Sequence, residues 1–388
     1  MRHLEANIAN RIEVIDVLRG FALLGISLRH FVSRFGYKGG AYSHSQFLAK
    51  TDKFIEAIDY HFLLDKTYPI FALLFGFSMF VVNQSSSGEK PFIRSSKRLL
   101  GLLPFACLNA IFFPGGDILG LYVVVGFIVL LLIKLPLKWL PYLAGFFLLQ
   151  PLIWVQIIIN LFDKSINLTN YPFPSFFDDV NRTIANGDFL EIMWVNLTKG
   201  QMGNFLWAIE AGRVSQIIGL LLLGYYLGES GRLIQFIEKG KKSLRYLLIP
   251  VLVIACCTLF KKWAPGIPSK EVLLILYNWY ALALACIYVI LIIFIYNIFP
   301  QRSFSSISFY GRMSLTNYIL QSIIGGILFA PFAFGGANYL SNVFIILLFA
   351  IMALAQIAFS KYWLTQNRYG PLESYWRRIF LYRPSIEV

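Results

Sequence analysis

Apolar runs with no polar face recur along this chain, and a helix that is apolar all round is stable only inside a large core or a membrane. LLGLLPFACLNAIFF (99–113) and VFIILLFAIMALAQIAF (343–359) are such runs, each close to the length that crosses hydrocarbon. The chain around them has 388 residues, 57% hydrophobic and only 14% charged. The pattern predicts an all-α, polytopic integral membrane protein. Ten spans are expected, at 15–31, 68–82, 99–113, 118–133, 137–162, 211–228, 244–260, 272–299, 313–332 and 339–364. An even number leaves both termini on one side.

Charge then orients the bundle. Lys90, Arg94, Lys97, Arg98, Lys134, Lys138, Arg232, Lys239, Lys241, Lys242, Arg245, Arg302 and Arg312 fall on the side that also receives the two ends. The opposite loops are mostly longer and less basic. By the positive-inside rule both termini are expected in the cytoplasm, and the bacterial cytoplasmic membrane is the expected location of this multi-pass chain. The simplest division is one integral membrane domain over 1–388, with long outer loops at 32–67 and 163–210 and a basic cytoplasmic tail at 365–388. The second outer loop mixes aromatic and polar residues as surface-lying amphipathic helices do, serving either as caps or as a lid. The inner stretch NQSSSGEKP (83–91) reads as a flexible loop.

Several function classes drop out. Cys107, Cys256, Cys257 and Cys286 all fall inside expected spans, with neither a disulfide framework nor metal spacing, so no metal is expected. The net charge of +14 is spread beside spans rather than gathered with exposed aromatics, so no nucleic acid is expected. The first apolar run contains charges and lacks a small-residue cleavage site after it, unlike a cleaved signal peptide.

The informative anomaly is DVLRGFALLGISLRHF (16–31), a span carrying Asp16, Arg19, Arg29 and His30. Ionisable groups in a bilayer cost roughly 2.5 to 3.5 kcal/mol each on insertion scales and usually face protein or a cavity. At about 100° per residue, Asp16, Arg19, Leu23, Ser27 and His30 share one face. At about 1.5 Å per residue, His30 lies roughly 16 Å from Arg19 along the axis. Asp16 and Arg19 form either a packing ion pair or part of a ligand site. His30 is either a hydrogen-bonded packing residue or a general base. Arg29 points elsewhere and reads as an anchor.

The Arg19-Gly20 pair with His30 after ten intervening residues resembles the acyltransferase-3 family of integral membrane acyltransferases, whose catalytic core contains this arginine and histidine. The wider wording DVLRGFALLGI is more similar to the YeiB-like family of membrane proteins, domain of unknown function 418. YPIFALLFGFSMF, YGRMSLTNYILQS and YGPLESYWRRIF resemble the later signatures of that family. The resemblance implies that His30 and Arg19 are catalytic and that a cytosolic acyl-CoA is the donor; Asp16, on the same helix face, is placed with them in the catalytic set. The acceptor would be a small molecule or a lipid-linked one, and the bilayer and a second copy, as a homodimer, would be the other partners.

Other residues were candidates for such a site. Gly311 and Arg312 open the ninth expected span, where free N–H groups and an arginine suit phosphate, or a positive-inside anchor. Glu210 and Arg213 stand one turn apart, as a packing pair or a substrate clamp. Asn317 and Gln321, four apart, suit interhelical bonding or a ligand. Asp59 and His61, with Asp52 and Asp65, bring acid and base groups to the end of the first span where His30 lies. A proton-coupled transporter or channel would also use buried charges of this kind, and a noncatalytic lipid-binding protein would need no basic histidine.

Overall fold

The computed structural model describes residues 2–37, 46–84, 90–114, 117–163, 165, 171–264 and 269–380. Most of the 83–91 loop and the last eight residues of the basic tail lie outside the described residues. Within them every regular element is helical. In chain order these are α1 (Arg2–Val32), α2 (Gln46–Ile58), α3 (Tyr68–Asn83), α4 (Pro91–Leu100), α5 (Leu103–Phe112), α6 (Ile118–Leu132), α7 (Leu140–Leu148), α8 (Pro151–Phe162), α9 (Phe173–Asn186) and α10 (Phe189–Val195). There follow α11 (Gln201–Glu210), α12 (Arg213–Glu229), α13 (Arg232–Glu238), α14 (Leu248–Trp263), α15 (Lys270–Tyr296), α16 (Ser305–Arg312), α17 (Ser314–Phe329), α18 (Asn342–Gln366) and α19 (Pro371–Phe380).

Helix lies over each expected span, yet only some of it is continuous. Four stretches are long and apolar enough to cross a membrane: Phe47–Asn83, Gly240–Trp263, Lys270–Tyr296 and Asn342–Gln366. Two bent pairs bring the number to six if each pair is one span, α7 with α8 (49°) and α10–α11 with α12 (76°). The expected single span at 137–162 is therefore broken, because Gln150 adopts a left-handed φ of 63° ahead of Pro151. The expected span at 99–113 is split as well: α4 ends at Leu100, and α5 starts with Pro104 in its first turn, where its missing N–H does no harm. The candidate spans α14 and α18 present apolar side chains outward, with Leu248, Ile249, Leu252, Leu347, Ile351 and Leu354 exposed.

Two close helix crossings organise the bundle, and small residues make each possible. Where α1 meets α16, a Cβ on Gly20 would meet the Ile307 carbonyl and one on Gly311 would meet the Asp16 carbonyl. Where α3 meets α12, Gly76 lies on the Leu221 backbone and Gly224 on the Leu73 carbonyl. Leu23, Met79, Tyr122, Leu221 and Leu222 form the buried apolar centre beside these contacts.

At the broken helices the freed carbonyls find side-chain donors, as backbone inside a membrane protein requires. Trp279 Nε1 donates to Leu148 O (3.2 Å), Ser215 Oγ to Phe147 O (2.7 Å) and Asn278 Nδ2 to Ala211 O (3.0 Å). Asn278 Nδ2 also reaches Gln150 Oε1 at 3.0 Å, tying one break to the other.

Candidate functional site

Two cavities lie along α1, and Ile26 and Ile118 line both. The first, of about 350 Å³, contains His30 and Arg29 from α1, Asp65 and Tyr68 at the start of α3, and Trp207 and Arg213 at the α11–α12 break. The second, of about 760 Å³, holds Asp16, Arg19, Arg94, Arg98, Arg312, Arg377 and Glu373. Asp16, Arg19 and His30 thus share a helix face as expected, but the chain divides them: two groups serve one cavity and the imidazole the other.

In the His30 cavity the imidazole is packed among rings, with centroids 4.6 Å from Phe113, 5.4 Å from Phe35 and 6.2 Å from Tyr318. Its Nδ1 has no partner among the described residues. Arg29 is not the outlying anchor its helix position suggested. The π-helical turn Asp59–Leu63 brings Asp59 back over the end of α1, and the two side chains pair at 3.1 Å. Asp59 therefore reaches the site through Arg29 and is not itself on the cavity wall. His61, on the same turn, is exposed and packs edge-on against Tyr60.

Arg213 lines the cavity, but its expected neighbour does not. Gly212 takes a left-handed φ of 72° between them, so the one-turn spacing of Glu210 and Arg213 never becomes one helix face. Glu210 pairs instead with exposed Lys270 at 3.0 Å. Arg213 pairs with Asp65 and donates to Tyr68 OH at 2.8 Å, while Tyr277 OH donates to Asp65 Oδ2 at 3.0 Å. Next to this network Lys66 is fully buried, its ammonium 5.2 to 6.0 Å from the ring centres of Tyr60, Tyr277 and Tyr280. That is the geometry of cation–π attraction, which helps a charge tolerate burial.

The arginine cavity has five guanidinium groups and two carboxylates. Asp16 and Arg19 pair across one turn at 2.9 Å. Glu373 is engaged elsewhere: its Oε1 accepts from Leu315 N (2.8 Å) and Thr316 N (3.1 Å), and Thr316 Oγ1 donates to Oε2 at 2.6 Å. Met313 separates Gly311 and Arg312, which end α16, from α17, which starts at Ser314. The helix N-terminus anticipated as a phosphate site therefore carries a carboxylate of this same chain. Gly311 lies at the α1–α16 crossing, where a Cβ would meet the Asp16 carbonyl. Arg312 does line the cavity and donates to Arg368 O at 3.3 Å.

Asn317 and Gln321 lie away from both cavities. Asn317 Nδ2 donates to Tyr310 O (3.1 Å) and Ser360 Oγ (2.9 Å), and Gln356 Nε2 donates back to Asn317 O at 3.2 Å, so this amide joins helices. Gln321 is fully buried without an amide partner among the described residues.

Several groups escaped sequence reasoning. Arg98, at the end of a basic cytoplasmic-type run, looked like a topology marker, yet it is 8% exposed. Glu373 lies within the stretch expected as a basic cytoplasmic tail, yet it is 9% exposed. Asp117, beside the Ile118 boundary, accepts from Leu119 N (3.0 Å), Gly120 N (2.8 Å) and Asn109 Nδ2 (2.9 Å). A helix-start signal was available for it, because an aspartate directly before an apolar run is an N-cap pattern.

Comparison with known proteins adds a resemblance. Residues 230–383, from just before α13 through α19, match the family model described as a protein of unknown function, DUF418. The chain is 29% identical to the uncharacterized protein YxaH of Bacillus subtilis over 406 residues, covering 97% of this chain and 96% of that protein. It is 29% identical to the uncharacterized protein YeiB of Escherichia coli, covering 95% of each, and 27% identical to an uncharacterized 39.9 kDa protein from the amylase 3′ region of Bacillus acidopullulyticus, covering 95% and 93%. No solved structure matches. The matched segment supplies Arg312, Glu373, Trp376 and Arg377 to the cavity, so the chain resembles the DUF418 family over residues 230–383 and is similar to YxaH and YeiB over nearly its whole length.

Proposed function

We propose that this protein is a membrane acyltransferase, moving an acyl group from a cytosolic acyl-CoA to a small or lipid-linked acceptor. The observation that carries the reading is the pair of cavities that share Ile26 and Ile118 in their walls, one rich in arginine and the other holding His30. In this reading the ten helical regions are ten spans of a bacterial cytoplasmic membrane protein, with both termini in the cytoplasm. The arginine cavity opens toward the cytosol and takes the phosphate-bearing donor; Arg312, exposed at its edge, meets the donor first. The thioester lies at the Ile26–Ile118 boundary.

His30 acts from the second cavity. Its neutral imidazole takes the proton of an acceptor hydroxyl or amine, the acceptor atom bonds to the thioester carbonyl carbon, and the carbon–sulfur bond breaks. The departing thiolate takes up the proton. Arg19, at the donor end of the helix, supplies positive charge along the donor path, while Asn317 takes no part because its amide is used between helices.

The test uses purified protein reconstituted with membrane lipid extract. Addition of acetyl-CoA and longer acyl-CoAs should release free thiol, and His30→Ala should stop release while donor binding stays within about twofold. Donor binding without release in the wild type, across acyl chain lengths and lipid extracts, would remove transfer as the function.

A second reading is transport of a small molecule, favoured by the two bent helix pairs joined through Gln150 and Asn278. Substrate or proton flux into liposomes, absent in Asn278→Leu, would support it over transfer.

A further inference from the structure

We propose that Arg98 and Trp376 form a phosphate-binding centre in the wall of the arginine cavity. Arg98 comes from α4 and Trp376 from α19, so the site is assembled from segments that are far apart in the chain. Both residues line the cavity, and both are more than nine-tenths buried, at 8% and 9% exposure. The Arg98 guanidinium lies 5.0 Å from the Phe75 ring centre and 5.6 Å from that of Trp376, and its Nη2 donates to Ser78 Oγ.

Its other two nitrogens, Nε and Nη1, are buried without a partner among the described residues, and so is the indole Nε1 of Trp376. Unpaired buried donors are expensive, and an unpaired buried guanidinium more so. No carboxylate pairs with Arg98 among the described residues, and the cavity as a whole has three more arginines than carboxylates. The two acids present are committed, Asp16 to Arg19 and Glu373 to the start of α17. Among the described residues no free carboxylate faces Arg98, so a bound anion would balance its charge.

Phosphate is the class of anion that suits it. The unpaired Nε–H and Nη1–H of the guanidinium can each give a charge-assisted bond to a phosphate oxygen, and the indole N–H of Trp376 supplies a third donor. Flanking aromatic faces hold the guanidinium plane and keep water out, which strengthens the charge-assisted bonds. Such a phosphate could belong to a nucleotide cofactor or to a phospholipid headgroup. The inference rests on the cavity being a ligand site but does not depend on acyl transfer.

Calorimetry on the full chain in detergent separates the cases. The probes are pyrophosphate, coenzyme A, and mixed micelles containing either phosphatidylglycerol or phosphatidylcholine. Wild type should bind a phosphate probe saturably, and Arg98→Gln should weaken binding by about tenfold or more, the scale of one lost charge-assisted contact. Lys138→Gln, outside the cavity, should change it less than twofold. Coenzyme A binding that depends on Arg98 supports both this site and the donor reading. Arg98-dependent binding of phosphatidylglycerol, with none of coenzyme A, keeps the site and overturns the donor. Undiminished coenzyme A binding in Arg98→Gln overturns the site and leaves the donor reading standing. Failure of folded wild type to bind any probe overturns both. If Arg98→Gln does not fold, Trp376→Phe carries the test: it keeps the ring and deletes the N–H, and unchanged affinity in that variant would overturn the site.

Discussion

Glu373 caps α17 at Thr316 from 57 residues away in sequence, with its two carboxylate oxygens taking the Thr316 amide (3.1 Å) and hydroxyl (2.6 Å). Leu372 N returns a bond to Thr316 Oγ1 at 3.1 Å, so α19 and α17 are locked reciprocally. The carboxylate also meets the positive end of the helix dipole, which favours an anion there. Removing it should leave two buried N–H groups of α17 unpaired. Glu373→Ala is expected to lower stability by about 1 to 3 kcal/mol, read as a fall in melting temperature in detergent. An unchanged melting temperature would mean that α19 is not docked as described.

The divided fates of Glu210 and Arg213 give a paired prediction. Glu210 faces an exposed lysine, and such pairs contribute about 0 to 1 kcal/mol. Arg213 is buried and paired with Asp65, and breaking a buried pair by removing one partner costs about 3 to 5 kcal/mol. Glu210→Ala should therefore melt close to wild type and Arg213→Met far below it. Equal losses in the two variants would restore the one-turn pair that the bend at Gly212 rules out.

The α1–α16 crossing leaves no room for a methyl group at Gly311. Gly311→Ala should push Asp16 and Gly20 away and cost about 1 to 3 kcal/mol or more through overpacking. The same substitution at Gly145, where a Cβ would meet nothing within 4 Å, should be nearly neutral or slightly stabilising in its helix. Thermal unfolding of both variants side by side checks the contrast.

Ile26 and Ile118 line both cavities, and in the proposed reaction donor and acceptor meet beside them. Filling that point with Ile26→Phe should cut thiol release by about tenfold or more, since a displaced reacting group loses orientation, while acyl-CoA binding in the arginine cavity persists. Release at the wild-type rate in this variant would show that donor and acceptor do not meet there.

What the amino-acid sequence determined by itself is the material of the fold. Runs that are apolar all round dictate helices that must be hidden from water, and charges embedded in DVLRGFALLGISLRHF mark a face that must meet protein or a cavity, because desolvating an unpaired charge is costly. The short-range pair Asp16–Arg19 was also legible, since helical spacing alone brings it together. Only the tertiary structure decided which long-range partners satisfy the remaining charges. Helix period says nothing about a left-handed Gly212 that turns Glu210 away from Arg213, nor about a π-turn that returns Asp59 to Arg29. It is equally silent on Glu373 crossing the bundle to the start of α17 and on Trp376 closing over Arg98. Those contacts depend on how whole helices dock, and docking is set by glycine crossings and broken spans whose geometry no local pattern records.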